Sequence, residues 1–196
     1  AMLDYHRDWQ AALIRAIHDS GLASEPGVRA LRYNDGILEG HRFEVKEPSH
    51  PGKHRHHHWR DIRDRLGNCN LDTSVKGRAI AIFELLAEAE AGVHGGPVDE
   101  VTFHEVGAWD SIADIVAAAW LIERSGATGW SCSPLPLGRG RVASAHGSLP
   151  VPAPATLLLL RGFPVFDDGV EGERVTPTGA AILKHLQPSF GARKTP

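Results

Sequence analysis

The sequence predicts an α/β domain, with α+β as the alternative: helices packed on a small mixed sheet, in one compact domain with a histidine-rich surface loop. Three observations point there. Strand-like and helix-like patterns alternate from residue 129 onward. Ahead of that point, two long segments, 72–95 and 110–126, are apolar at helical spacing. Finally, 42% of the 196 residues are hydrophobic and five are tryptophan, enough for a real core and an argument against global disorder.

The elements follow in order. "DWQAALIRAIHDSG" sets Trp9, Leu13, Ala16 and Ile17 at helical spacing, with Gly21 as the stop. Residues 27–46 read as two extended segments around an "NDG" turn, a β-hairpin. "EPSHPGK" is a surface linker, and a short helix follows with Trp59, Ile62 and Leu66 inward. "DTSVKGRAIAIFELLAEAEAGVHGG" is the strongest helical pattern. Asp72, Thr73 or Ser74 can cap it, Ile80, Phe83, Leu85 and Leu86 form its apolar stripe, and Gly95 ends it. "VDEVTFHEVGAW" is loop with a turn of helix, and "DSIADIVAAAWLIERSG" is a second long helix, apolar after its first turn and therefore buried. "TGWSCSPLPLG" begins as a strand, "VPAPATLLLLRG" is a helix with prolines in its first turn, and "FPVFDD" is a strand. "TPTGAAILKHL" is a helix capped by Thr176 with Pro177 at its first position. Residues 1–47 form the N-terminal helix and hairpin, 48–58 a histidine-rich linker, and 59–190 the core, with 1–47 joined to the same domain.

A net charge of −3 gives no electrostatic reason to expect nucleic acid or an anionic membrane surface as a partner. The two cysteines, Cys69 and Cys132, have no paired spacing, which favours a reducing compartment. No apolar stretch approaches the roughly 20 residues that cross a bilayer, and no signal-peptide pattern opens the chain, so the expected location is cytoplasmic.

Twelve histidines are a heavy load, and they cluster: "HPGKHRHHHW" holds His50, His54, His56, His57 and His58. Neutral imidazole suits Zn, Cu, Fe and Ni, and His54, His56, His57 and His58 are the candidate metal ligands. His54 and His58 have the i, i+4 spacing of a helical clasp, as do His57 and Asp61, with Asp64 further along the same face. The bland reading is a solvated loop. A second constellation is "FHEVGAWDSIAD", which offers His104, Glu105, Asp110 and Asp114 toward a common point, for a divalent ion or for proton transfer. Asp110 also fits an N-cap, and the helix dipole favours a first-turn carboxylate, so capping and chemistry account equally well for that residue. Asp114 is harder to explain, because a carboxylate on a buried helix needs a partner. A third element is a pair of loops entering helices, one with His146 and Gly147, the other with Thr176, Thr178 and Gly179. Free backbone N–H groups at such helix starts favour phosphate or carboxylate, although proline and threonine also simply start helices.

"RAIAIFELLAEAEAGVHG", "FHEVGAWDSIADIVAAA", "SPLPLGRGRVASAHGSLPVPAPAT" and "GERVTPTGAAIL" resemble the LarC family of nickel insertion proteins, over most of residues 54–186. The motifs are long and ungapped, and a histidine-rich stretch ahead of them is also a family feature. The resemblance implies insertion of Ni(II) into a pyridinium bis-thiocarboxylate mononucleotide, with two Ni–S bonds and one Ni–C bond formed. It implies a nickel chelatase of the lyase class that uses CTP with Mg(II) or Mn(II). Forming a metal–carbon bond removes a ring proton, so a base must stand beside the ion. His104, Glu105, Asp110 and Asp114 are the candidates for positioning metal and accepting that proton. His146, Gly147, Thr176 and Thr178 are the candidates for holding the thiocarboxylates or phosphate. Family members carry an opening loop of the type "DxFSGxxGDM" and a C-terminal domain associated with CTP, neither of which is seen here. The expectation is therefore dependence on a C-terminal LarC part or on a homo-oligomer. The alternatives are a non-catalytic nickel-binding or delivery protein and a shortened LarC paralogue. A metal-dependent hydrolase fits the residue types but lacks a nucleophile arrangement.

Overall fold

A computed structural model describes residues 2–21, 27–46, 57–103, 109–144 and 147–191. The chain opens with a one-turn helix, α1 (Met2–Tyr5), a 3-10 turn (Arg7–Trp9) and helix α2 (Gln10–Asp19). The expected hairpin follows as β1 (Gly27–Asn34) and β2 (Glu39–Lys46), antiparallel with Gly27 opposite Lys46 and Asn34 opposite Glu39. Its turn is built by side chains. Asn34 Oδ1 accepts from the Gly36 N–H at 2.7 Å, and Asp35 Oδ1 accepts from the N–H groups of Ile37 and Leu38. Gly36 takes φ +87°, which a residue with a Cβ rarely adopts.

A short pair, β3 (His57–His58) with β4 (Thr102–Phe103), brackets two helices, α3 (Trp59–Asn68) and α4 (Thr73–His94). Gly95 ends α4 in the left-handed conformation at φ +75°. Helix α5 (Trp109–Ser125) comes next, and then the strand-rich stretch: β5 (Ser131–Cys132), β6 (Leu135–Pro136), β7 (Gly138–Arg139), β8 (Arg141–Ser144) and β9 (Gly147–Pro150). The last elements are α6 (Pro154–Leu159), β10 (Val165–Phe166), β11 (Gly172–Glu173), α7 (Pro177–Leu186) and β12 (Ser189–Phe190).

The α/β class holds, with the strands arranged in short pieces. Among the described residues they form six two-stranded ladders, β6–β10 and β5–β12 parallel and the others antiparallel. Pro134, Pro136, Pro150 and Pro164 lack the N–H that a continuous ladder requires, and Gly138 and Gly140 bend the chain between pairs.

The core is helical. Helix α4 lies at its centre, with α3, α5, α6 and α7 packed around it. Trp59, Phe83 and Phe103 are fully buried and pack in sequence, the first pair stacked and the second tilted, with ring centroids 6.3 Å and 6.2 Å apart. The inner face of α4 is Val75, Ala79, Ile82, Phe83 and Leu86, whereas Ile80 and Leu85, expected on it, are only partly buried. Because helices pack on several sides of α4, its buried surface is wider than one stripe and tolerates this rotation. Trp59, Ile62 and Leu66 line the buried face of α3 as expected. Helix α2 packs on α5, where Trp9 meets Trp120 edge-on at 6.0 Å. Cys69 and Cys132 are free thiols. Among the described residues no helix is long and apolar enough to cross a membrane.

Candidate substrate cleft

Where α1, α2, the hairpin, α5 and α7 meet, they leave an open cleft of about 420 Å³. Its walls are mostly apolar, with Leu13, Phe43, Leu121 and Ile182 among them. Its polar groups come from four separate parts of the chain: Asp4, His41, Asp114, and Thr176 with Thr178 and Gly179. A mostly apolar concavity with a few converging polar groups is the ordinary form of a small-molecule site.

Asp114 departs from the sequence expectation. Its neighbours Ile112, Ala113, Ile115 and Val116 are buried, but Asp114 itself is exposed, because it stands on the one face of α5 that opens to the cleft. Protein still surrounds the carboxyl on one side. Desolvation there, together with the negative charge of Asp110 one turn earlier, raises its pKa from 3.8 to about 6. A carboxylate so poised can take up and release a proton close to neutral pH.

The start of α7 supplies the second group. Thr176 caps the helix as expected, its Oγ1 accepting from the Gly179 N–H at 3.2 Å, with Pro177 at the first position. Pro177 has no N–H to offer, so the cap and the proline account for part of the helix's free donors. Thr178, one residue past the proline, also lines the cleft.

Sequence reasoning did not nominate the third group. Asp4, on α1, and His41, on β2, meet with Asp4 Oδ1 2.7 Å from His41 Nδ1. The hydrogen bond from His41 is the largest of the influences that hold the Asp4 carboxyl down at about 2. Asp4 therefore remains an acceptor, and Nδ1 is the protonated ring nitrogen. Nothing in "MLDYH" or "GHRF" links the two positions; only the packing of α1 on β2 does.

The nickel insertion protein family model matches residues 1–196. The chain belongs to this family. Among curated relatives named for nickel insertion, one from Geotalea uraniireducens is 52% identical over 76% of this chain and 38% of its own length. One from Syntrophobacter fumaroxidans is 46% identical over 83% of this chain and 41% of its own length. One from Thermomicrobium roseum is 55% identical over 65% of this chain and 32% of its own length. The chain thus spans about two fifths or less of the curated relatives it matches. No solved structure matches it.

Seen as a nickel insertion family member, the chain brings together some of the nominated residues and not others. Asp114, Thr176 and Thr178 line one cleft. Asp110 is exposed and lies within the first turn of α5, not at its cap, because the helix begins at Trp109; its Oδ1 accepts from the Ser111 N–H at 2.7 Å. Gly147 opens β9 with φ +94° and pairs with Ser144, so it belongs to a hairpin and does not line the cleft. His104, Glu105 and His146 lie outside the described residues, as do His54 and His56. His58 is extended, its Nδ1 2.9 Å from Thr102 Oγ1, and α3 begins only at Trp59. The i, i+4 pairs that count from His57 and His58 therefore do not share a helix. Among the described residues, no three His, Cys, Asp or Glu side chains gather into a metal-holding set.

Proposed function

We propose that this nickel insertion family member carries the part of the reaction that places Ni(II) into a pyridinium bis-thiocarboxylate mononucleotide. The carrying observation is the cleft, which joins Asp114 to Thr176 and Thr178 across more than 60 positions of sequence. Its apolar walls suit a flat aromatic ring, and its carboxylates suit a pyridinium cation. The hydroxyls and backbone at the start of α7 suit the anionic thiocarboxylate or phosphate groups.

In this reading the histidine run, His54, His56, His57 and His58, holds Ni(II) on imidazoles loosely enough to pass it on. His104, Glu105 and Asp110 help position the ion on its way to the cleft. As the ring C–H bond breaks, its electron pair becomes the Ni–C bond, the metal stays Ni(II), and the proton passes to the Asp114 carboxylate. CTP with Mg(II) or Mn(II) is the expected co-substrate, taken up with a C-terminal LarC part or an oligomeric partner.

The test supplies purified chain with Ni(II), the mononucleotide, CTP and Mg(II), and reads the metallated product by mass spectrometry. Product that depends on Asp114 supports a nickel chelatase of the lyase class. If product forms only when a separate CTP-using protein is added, and Asp114→Asn makes no difference, the chain is a nickel-delivery protein and the catalytic reading fails.

A further inference from the structure

The Asp4–His41 pair lines the same cleft and has no part in the reaction as set out above. Its geometry has a chemical consequence. With Nδ1–H donated to Asp4 at 2.7 Å, the lone pair of the imidazole lies on Nε2. A carboxylate behind the ring fixes its tautomer and orientation, the outer-shell arrangement that supports histidine ligands of metals. Asp4 is itself well placed: its carboxyl oxygens lie against Gly40, where an added Cβ would come within 3.5 Å and 3.6 Å of them. The carboxylate is thus set between α1 and the backbone next to His41.

We propose that His41 is the protein's nickel ligand in the cleft, binding through Nε2, with Asp4 as its positioning residue, and that the substrate completes the site. This inference rests on the reading of the cleft given above. Among the described residues no cage of three ligating side chains exists, and the substrate itself can supply the donors that a single imidazole does not. The mononucleotide offers two sulfurs and, after proton loss, one ring carbon. A square-planar Ni(II) then has one position left, and an imidazole matches that ion better beside sulfur than a carboxylate does. Among the described residues that line the cleft, His41 is the one imidazole, and Asp114 is engaged with the proton. A single protein ligand also allows release of the finished product, which a closed cage would retain.

The test uses the full 196-residue chain with His54, His56, His57 and His58 changed to alanine, so that the histidine run does not mask the cleft. Calorimetry first measures the mononucleotide alone, then Ni(II) titrated into the protein with the mononucleotide present, against a titration of the mononucleotide without protein. The expected result is one nickel event that requires the mononucleotide. His41→Asn puts an amide N–H where Nδ1 faces Asp4, yet it removes the ligand nitrogen and should abolish that event while mononucleotide binding persists. Asp4→Asn should weaken nickel by about 10–100-fold, the usual effect of losing an outer-shell partner. If His41→Asn takes up nickel as well as the parent, the assignment of His41 is wrong while the reading of the cleft stands. If the mononucleotide does not bind the parent at all, the reading of the cleft fails and this inference fails with it.

Discussion

Replacing Asp114 by asparagine keeps the shape of the side chain and removes its charge, and the outcome should depend on pH. In the unfolded chain the carboxyl titrates near 3.8; in the folded cleft it titrates at about 6. At about 1.36 kcal/mol per pKa unit, full burial would set the penalty at no more than ~3 kcal/mol. Asp114 is open to solvent on its cleft side, so screening leaves roughly a third of that, ~1 kcal/mol. The sign follows from which state holds the proton. Below pH 3.8 both states are protonated and the group contributes nothing. As pH rises from there to about 6, the unfolded chain has released its proton and the folded one has not, so the wild type loses stability. Above that range the whole penalty remains. Urea unfolding should therefore show Asp114→Asn close to wild type near about pH 4 and more stable by ~1 kcal/mol near about pH 7.5, with unchanged m-values. A gain equal at both pH values, or a loss near neutrality, would refute the desolvation argument.

Other substitutions test the frame that holds the cleft. At Gly138, φ is +72° and a Cβ would stand 2.1 Å from the Gly172 carbonyl oxygen. Gly138→Ala should thus cost more than about 1 kcal/mol, seen as a lower Tm, whereas alanine at the open Gly77 should not. Thr176→Ala removes the acceptor of the Gly179 N–H and should cost about 1 kcal/mol in denaturant titration, with Thr176→Ser nearly neutral. Phe83→Ala empties the centre of the Trp59–Phe83–Phe103 cluster and should cost about 3–5 kcal/mol by the same titration.

The local signals in the chain were strong where one short-range rule dominates. The Asn34–Asp35–Gly36 turn satisfies its own backbone, Gly95 stops α4, and Thr176 with Pro177 starts α7, each through contacts within a few residues. These features were legible because their partners are neighbours in sequence. The same holds for the family, whose motifs are contiguous.

Other features depend on which elements meet. The apolar residues of α4 could not say whether Ile80 or Ile82 faces inward, because the answer depends on how several helices surround it. The apolar run around Asp114 implied burial, yet α5 leaves that one face to the cleft. Asp4 and His41 lie 37 positions apart, on elements whose sequences carry no mark of each other. Sequence alone determined the long helices, the hairpin, the Gly95 stop, the Thr176 cap and the family, since each rests on local backbone chemistry or an unbroken motif. Tertiary structure alone decided that Asp114, the start of α7 and the Asp4–His41 pair share one cleft. Only packing of distant apolar faces brings together side chains whose separations along the chain have no period to read.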